Sequence, residues 1–594
     1  MYRAPTRDLR FNINELLRAP AAWAAAPGLS DYSSEVTDTI IAEASKFAEE
    51  VLEPLYRSAD QTGARWTPEG VIAPPGFKEA YRQYVEGGWG TLRAGTRHGG
   101  QGVPNSVGTA VEEMFASANL AFKLGPMLTQ GAVEALEHRG TPQQQERYLP
   151  KMVTGEWSGT MNLTEPQAGS DLGQIRTRAV PEGDHYRLFG QKIFITYGEH
   201  DLADNIIHMV LARIEGAPAG TAGISMFLVP KVLVNPDGSL GERNDVACLS
   251  IEHKLGIHGS PTAVMAYGQK DGAIGYLVGE PNQGLKNMFI MMNAARLSVG
   301  LEGYAMAERA LQQAAEWART RVQGRPPVAA PGPLPIIHHM DVRRMLMLMK
   351  SRTEALRSVA LYAAHQLDLA GHHADAARRT ACQARGDLLI PVVKAWSTES
   401  GIEIASLGIQ VHGGMGYIEE TGAAQIYRDV RITTIYEGTT GIQANDLIGR
   451  KLGRDRGAAL GALLDDIDND LEAIMKGREI DAAIARDAKP YVKALRKARE
   501  DLLALLAKDA ASAQAVAVPF VRLTGVVLGG WMMAKSAAIA QASLAGAGDD
   551  AAFYRAKLQS ARFYIDHVMP EALAAAAIVA GGAAAVQQTA VELI

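Results

Sequence analysis

The chain has 594 residues, of which 47% are hydrophobic and 21% charged, and its formal net charge is −6. That composition belongs to a globular protein with ample core, and domains of ~100–200 residues give about three to five of them. The slight acidity excludes a global basic field for nucleic acid or an anionic membrane, and two cysteines, Cys248 and Cys382, exclude a disulfide framework.

So few cysteines fit a reducing cytoplasm, which is the expected compartment, and the opening Met1-Tyr2-Arg3-Ala4-Pro5 lacks the apolar core of a secretory signal. Residues 1–35 read as an irregular arm anchored by Phe11, Leu16 and Leu17. Residues 36–157 read as a helical domain. Apolar residues recur at three- and four-residue spacing over 37–56 and 107–136, with glycine breaks at Gly87-Gly88 and Gly99-Gly100. The texture then changes. Residues 158–284 read as a compact β domain, with strands at 185–195, 206–214 and 223–232.

Helical periodicity returns over 285–454, with a long amphipathic stretch at 287–321 and a Pro-rich break at 325–335. Further helices follow at 341–371 and 378–406. Residues 455–594 are Ala-rich and helical by composition. From Arg456 onward they carry fifteen basic and sixteen acidic residues. The longest apolar run, 572–586, is shorter than the ~20 residues that cross a bilayer and reads as a packed helix, so no stable membrane insertion is expected. The fold class is therefore α+β, mostly α: helices, a β domain, helices, and extra helices.

Five short segments can carry chemistry. The first, Leu163-Thr164-Glu165-Pro166-Gln167-Ala168-Gly169-Ser170-Asp171, stands at the entry to the β domain. Its Pro and Gly can aim N–H groups and hydroxyls at a planar heterocycle, although an ordinary polar loop has the same composition. In the second, Lys192-Ile193-Phe194-Ile195-Thr196, strand alternation places Phe194 and Thr196 on one face, and a half-buried strand with no ligand shows the same pattern. The third, Gln410-Val411-His412-Gly413-Gly414-Met415-Gly416, permits close backbone approach to a pyrophosphate or serves as a plain turn. In the fourth, Tyr436-Glu437-Gly438-Thr439, a carboxylate sits at a helix–loop–helix corner. Facing an apolar pocket, such a group would become a base tuned toward neutrality, and facing water it is an ordinary surface group. The fifth, Arg319-Thr320-Arg321, ends a helix, where arginines clamp phosphates or simply complement the helix dipole. The pairs His338-His339 and His372-His373 are adjacent in sequence, and adjacent helix positions do not face one point, so no metal site is expected.

In this order and spacing, the five segments resemble the acyl-CoA dehydrogenase family over residues 36–452. The resemblance implies an N-terminal helical domain, a middle β domain and a C-terminal four-helix bundle, here with an additional helical extension. It implies FAD as cofactor and Glu437 as the general base. Leu163, Thr164, Ser170, Phe194, Thr196 and Thr439 would contact the flavin, while Gln410, Gly413, Gly414 and Arg321 would reach a neighbouring subunit's cofactor. Ser170, Arg296, Glu437 and Gly438 would meet the substrate. Two departures stand out. The aromatic at 194 is more often Trp in the family, and the Phe usual after the helix-end arginine is missing from Val322-Gln323-Gly324. Some relatives carry their base just before the arginine of Asn293-Ala294-Ala295-Arg296, and Ala295 cannot serve. Phe122 is a candidate for the lining of the acyl tunnel, or a plain core residue.

The implied reaction is α,β-dehydrogenation of an acyl-CoA thioester to a trans-2-enoyl-CoA. Glu437 takes the α-proton, its N–H polarises the thioester carbonyl, and electron-transfer flavoprotein accepts the electrons. The opening residues 2–11 and the C-terminal helices look like the subgroup that contains 3-methylmercaptopropionyl-CoA dehydrogenase. Medium- and long-chain acyl-CoAs remain open as substrates, and such extended relatives are often homodimers. The alternatives are an acyl-CoA oxidase that uses dioxygen and a DNA-binding flavoprotein relative. The near-neutral C-terminal segment speaks against the latter.

Overall fold

The structure, a computed structural model, describes residues 2–327 and 332–593, so residues 328–331 of the expected Pro-rich break lie outside the described residues. The labelled helices are α1 (Ser34–Lys46), α2 (Phe77–Glu86), α3 (Asn105–Arg139), α4 (Pro142–Thr154), α5 (Gly284–Thr320), α6 (Met340–His372) and α7 (Ala376–His412). After them come α8 (Thr440–Asn445), α9 (Ala458–Met475), α10 (Glu479–Lys508), α11 (Ala517–Ser543), α12 (Ala551–His567) and α13 (Pro570–Gly581). Two compact units result. One comprises residues 1–45, 104–117 and 299–594, the other 46–103 and 118–298.

In the unit holding residues 118–298, a hairpin absent from the sequence reading, β1 (Arg65–Thr67) and β2 (Gly70–Ile72), interrupts the helical stretch. Helix α3 kinks at Asn119, whose backbone leaves helical geometry (φ −158°, ψ 91°). The Asn119 Oδ1 accepts the Phe122 N–H at 3.2 Å and so caps the second half of the helix.

The β domain follows: β3 (Trp157–Asn162), β4 (Arg178–Glu182), β5 (His185–Thr196), β6 (Asn205–Ile214), β7 (Ile224–Pro230), β8 (Val232–Val234), β9 (Leu240–Arg243), β10 (Val246–Ile251), β11 (Thr262–Tyr267) and β12 (Ala273–Leu277). Strands β5, β12, β7, β6 and β4 close a circuit of hydrogen-bonded pairs. Strands β11 and β10 extend it beyond β5, and β3 joins β6 in parallel. Residues 205–212 of β6 are buried on both faces, so apolar residues do not alternate with polar ones along it: Ile206, Ile207 and Met209 to Ala212 fill both sides, with Asn205 and His208 buried among them.

In the other unit, the arm is helical rather than irregular. Thr6–Arg10 and Ala19–Trp23 are α-helices, with a π-helix at Phe11–Leu16 between them. Leu9, Ile13 and Leu16 recur at helical spacing and are at most 5% exposed, and that burial offsets the entropy of ordering the segment. Of the expected anchors, Phe11 and Leu16 are buried and Leu17 half-buried. Asp8 of the arm pairs with Arg357 of α6 and Lys557 of α12, and Arg357 also holds Glu113 and Glu308.

Helices α5 and α7 cross backbone to backbone. A Cβ on Gly303 would stand 2.4 Å from the Ser397 carbonyl oxygen, and one on Gly401 2.4 Å from that of Gly303. Helix α11 packs instead on a side chain of α7, because Cβ atoms on Gly525 and Gly529 would strike the Trp396 ring at 2.4 and 2.8 Å. Residues 517–546 and 548–581 are long and apolar enough to cross a bilayer by composition alone. The apolar 18-residue stretch of the first is 83% buried inside the protein and that of the second 39%. The apolar run 572–586 is broken at Gly582, between α13 and a short helix at Ala583–Gln588.

Candidate active site

Loop 163–171 leaves β3 and is fastened to β5. Lys192, fully buried on β5, donates to the Leu163 carbonyl at 2.9 Å and pairs with Glu165 at 2.8 Å. The Ile193 N–H donates to the Thr164 carbonyl at 2.9 Å. Glu165 also accepts from the Arg176 N–H (2.6 Å) and from the Thr177 N–H and hydroxyl (3.0 and 2.6 Å). Burial alone would raise its carboxyl, but Lys192 and these donors prevail and hold it at about 2. Burial pushes the Lys192 ammonium down to about 8 against the pull of Glu165. The fold thus brings Leu163, Thr164, Phe194 and Thr196 together, and Ser170 extends exposed from the far end of the same loop.

Strand β5 does not run straight past this loop. Between Lys192 and Ile195 it carries one more residue than β11 carries opposite, a bulge. Phe194 sits in that bulge with φ 58° and is 58% exposed, while Ile195 is buried and Thr196 half-buried. A left-handed backbone is unfavourable for a bulky residue, so Phe194 is held in place by its neighbours. The result is an exposed aromatic ring in a bulge, next to a residue whose N–H bonds the Thr164 carbonyl of the loop.

The second group lies in the unit holding residues 299–594. A 3₁₀ turn, Arg431–Thr434, runs into Ile435-Tyr436-Glu437-Gly438, and α8 starts after Thr439, whose Oγ1 caps it by accepting the Ile442 N–H at 3.3 Å. Glu437 is half-buried and takes φ 56°, in the left-handed region, a cost of about 1–3 kcal/mol that the surroundings must offset. Gln443 Nε2 donates to the Glu437 carbonyl at 2.9 Å, and Lys394, fully buried on α7, donates to the Gly438 carbonyl at 2.7 Å. Gly438 takes φ 91°, and a Cβ there would stand 2.7 Å from Gln443 Nε2, so any other residue would be strained and would displace the amide that holds the Glu437 carbonyl. The Tyr436 hydroxyl donates to the fully buried Glu302 carboxylate of α5. Burial first, and the Glu302 charge second, hold that hydroxyl protonated.

A third group stands at one end of the bundle. Gln410, Gly413 and Gly414 are exposed where α7 ends, Gly413 has φ 65°, and nothing lies within 4 Å of a Cβ added to either glycine. His412 stacks on Trp317 of α5 with ring centres 5.2 Å apart, and the exposed Arg321 guanidinium lies 5.9 Å from the same Trp317 ring. Arg321 and the glycine loop therefore share one end. At 1.5 Å per helical residue, Gln410 lies about 24 Å along α7 from Lys394. One flavin ring cannot meet both the Glu437 corner and this loop.

Arg296 is 3% exposed on α5, its guanidinium 5.7 Å from the Phe289 ring centre. Phe122 is 1% exposed and packed among Phe77, Tyr81 and Tyr84. A narrow cavity lined in part by Tyr81, Tyr84, Pro126, Thr129 and Met152 adjoins two of these rings. The sequence reading missed Lys192, Glu302, Lys394 and Gln443. Their signal was a charge or amide set among apolar neighbours on a strand or helix, a pattern that also fits an exposed face.

The chain matches the profiles of four acyl-CoA dehydrogenase domains: the N-terminal domain over residues 34–156, the middle domain over 160–268, the C-terminal domain over 282–452, and an acetyl-CoA dehydrogenase C-terminal-like domain over 463–589. The chain belongs to the FAD-dependent acyl-CoA dehydrogenase family. Among its relatives it is 47% identical to the 3-methylmercaptopropionyl-CoA dehydrogenase of Ruegeria pomeroyi over 575 residues, 96% of each chain. It is 35% identical to the broad-specificity linear acyl-CoA dehydrogenase of Mycobacterium tuberculosis, again over 96% of each. In fold it resembles a Caenorhabditis elegans acyl-CoA dehydrogenase homologue solved with C11-CoA (TM-score 0.76, 20% identity, 96% of this chain and 92% of the other). It also resembles a Bacillus anthracis acyl-CoA dehydrogenase solved with FAD (TM-score 0.74, 22% identity, 95% and 90%). The expected fold class, helical extension included, is borne out.

Proposed function

We propose that the protein oxidises an acyl-CoA thioester to its trans-2-enoyl-CoA, with Glu437 as the base. The observation that carries this reading is the strained Glu437 corner, tied down on two carbonyls by Gln443 and Lys394. A carboxylate held at a costly backbone angle by buried side chains is aimed, not incidental. The Glu437 carboxylate takes the α-proton, and its own N–H is the donor for the thioester carbonyl, an interaction worth roughly 10²–10³ in rate. Bound FAD supplies the hydride acceptor. Phe194 and Thr196, with Leu163, Thr164 and Ser170, orient the ring, and Thr439 binds the diphosphate. Gln410, Gly413, Gly414 and Arg321 serve a second copy's cofactor, which makes the functional unit a homodimer.

Ser170, Arg296 and Gly438 contact the acyl-CoA. The substrate class extends from the short sulfur-containing 3-methylmercaptopropionyl-CoA to straight-chain acyl-CoAs, electron-transfer flavoprotein is the acceptor, and the cytoplasm is the compartment. The sequence likeness to the Ruegeria pomeroyi and Mycobacterium tuberculosis enzymes supports this range. Glu437→Gln is expected to retain FAD and to lose at least ~10²-fold in turnover. Near-normal turnover by that variant refutes the assignment. A panel of acyl-CoAs of rising length, run on the parent and on Phe122→Ala with an artificial electron acceptor, defines the substrate range. A shift toward longer chains in the variant places Phe122 at the tunnel, and an unchanged profile makes it an ordinary core residue.

A further inference from the structure

Glu302 is a carboxylate with no solvent exposure, on α5, which crosses α7 backbone to backbone. Its neighbours along α5, Val299, Leu301 and Tyr304, are each at most 1% exposed, so the helix is buried there on more than one face. A charge in such a place persists only when hydrogen-bonded, and the Tyr436 hydroxyl supplies a bond from the residue directly before Glu437. The crossing makes this contact precise in space. Gly300 and Gly303 of α5 leave no room for a side chain against Val393 and Ser397 of α7 (2.8 and 2.4 Å to an added Cβ), so the two helices cannot slide. Helix α5 thus delivers Glu302 to the Tyr436 hydroxyl, and α7 delivers Lys394 to the Gly438 carbonyl.

We infer that Glu302 and Tyr436 are a positioning pair that sets the aim of the Glu437 carboxylate, with the locked α5–α7 crossing as their base. The inference rests on the reading of Glu437 as the proton acceptor. The Tyr436 ring is anchored at its hydroxyl, its backbone leads straight into the left-handed residue, and a lost anchor lets that peptide rotate. Neither side chain needs to touch the substrate. Their effect falls on the proton-transfer geometry, where a misplacement of about 1 Å costs ~10²-fold.

The test uses the FAD holoenzyme and butyryl-CoA, following the bleaching of the flavin's visible absorbance in single turnover. Substrates deuterated at the α or at the β carbon are run beside the unlabelled one. Tyr436→Phe removes only the hydroxyl. It is expected to keep FAD content and KM and to slow flavin reduction by roughly 10- to 100-fold. The α-deuterium isotope effect should rise while the β-deuterium effect does not. A loss of packing alone would not separate the two isotope effects. Glu302→Gln retains an oxygen acceptor and is expected to fall between the parent and Tyr436→Phe. Combining Tyr436→Phe with Glu302→Gln should cost no more than Tyr436→Phe alone, because both act through one bond. Parental rates and isotope effects in Tyr436→Phe overturn the inference, as do losses that multiply in the double variant. Should Tyr436→Phe fail to accumulate as holoenzyme, a parental α-deuterium effect in Glu302→Gln overturns it. Glu437→Gln is run in parallel: if that variant keeps its rate, the base assignment fails, whereas if it is inactive while Tyr436→Phe is parental, only the positioning role fails.

Discussion

Glu437 and Phe194 share an unusual property: both are non-glycine residues with a left-handed backbone, at φ 56° and 58°. Sequence patterns named both positions, but no pattern of residue types reveals a positive φ. At 437 the clue was the following glycine. Gly438 has φ 91° and lies so near Gln443 that a methyl group would stand 2.7 Å from the amide nitrogen and 3.2 Å from Ile442 Cγ2. Gly438→Ala therefore forces the corner to move. We expect a stability loss of about 1–3 kcal/mol and a fall in turnover of at least ~10-fold, read by thermal unfolding and steady-state rates. A variant that melts and turns over like the parent would show that the corner is more pliable than its contacts imply. The partners of the corner were not legible in advance, because Glu302, Lys394 and Gln443 lie 135, 43 and 6 positions away in the sequence. Only the fold makes them neighbours.

Among elements, the strand–loop pair of β5 and residues 163–171 shows how a surface is aimed. Alternation alone would turn Phe194 and Thr196 outward together. The structure adds a bulge, which breaks the two-residue repeat, and the buried Lys192–Glu165 pair, which fastens the loop to the strand. A lysine and a glutamate 27 residues apart gave no hint of contact in the sequence. Removing one partner strands the other charge. Lys192→Met should lose about 3–5 kcal/mol of stability and release the loop, so that flavin absorbance is lost on gel filtration. Normal stability with full flavin would mean that the loop holds its place without the pair. The strands with strong apolar alternation were readable, at 185–195, 206–214 and 223–232. The hairpin at residues 65–72 was not, since three-residue strands carry too few positions to show a period.

At the scale of the whole molecule, the order of helices, β domain, helices and extension was legible because composition changes at each border. The compactness was not. The residues from 299 to the end form one unit, in which α11 presses two glycines against Trp396 of α7, so the extension is part of the bundle's core. The arm belongs to the same unit. Asp8 is shared between Arg357 and Lys557, and these cations lose their common partner if it goes. The arginine is drawn to Glu113 and Glu308 as well, and burial still holds the Glu113 carboxyl up at about 7. We expect Asp8→Ala to lose about 3–5 kcal/mol, measured by denaturant unfolding. A loss below ~1 kcal/mol would mark the arm as a loose cover.

The contact between Arg7 and Tyr554 spans 547 residues of sequence. A ribosome adding about 5–20 residues each second needs on the order of half a minute to two minutes to bridge that span. Throughout that interval the first apolar side chains, Leu9, Phe11 and Ile13, have no finished seat, and Asp8 has no lysine to meet. The nascent chain must then keep its earliest helix waiting until its last helices emerge, and any factor that shields exposed leucine and phenylalanine during synthesis would find its target in the first twenty residues.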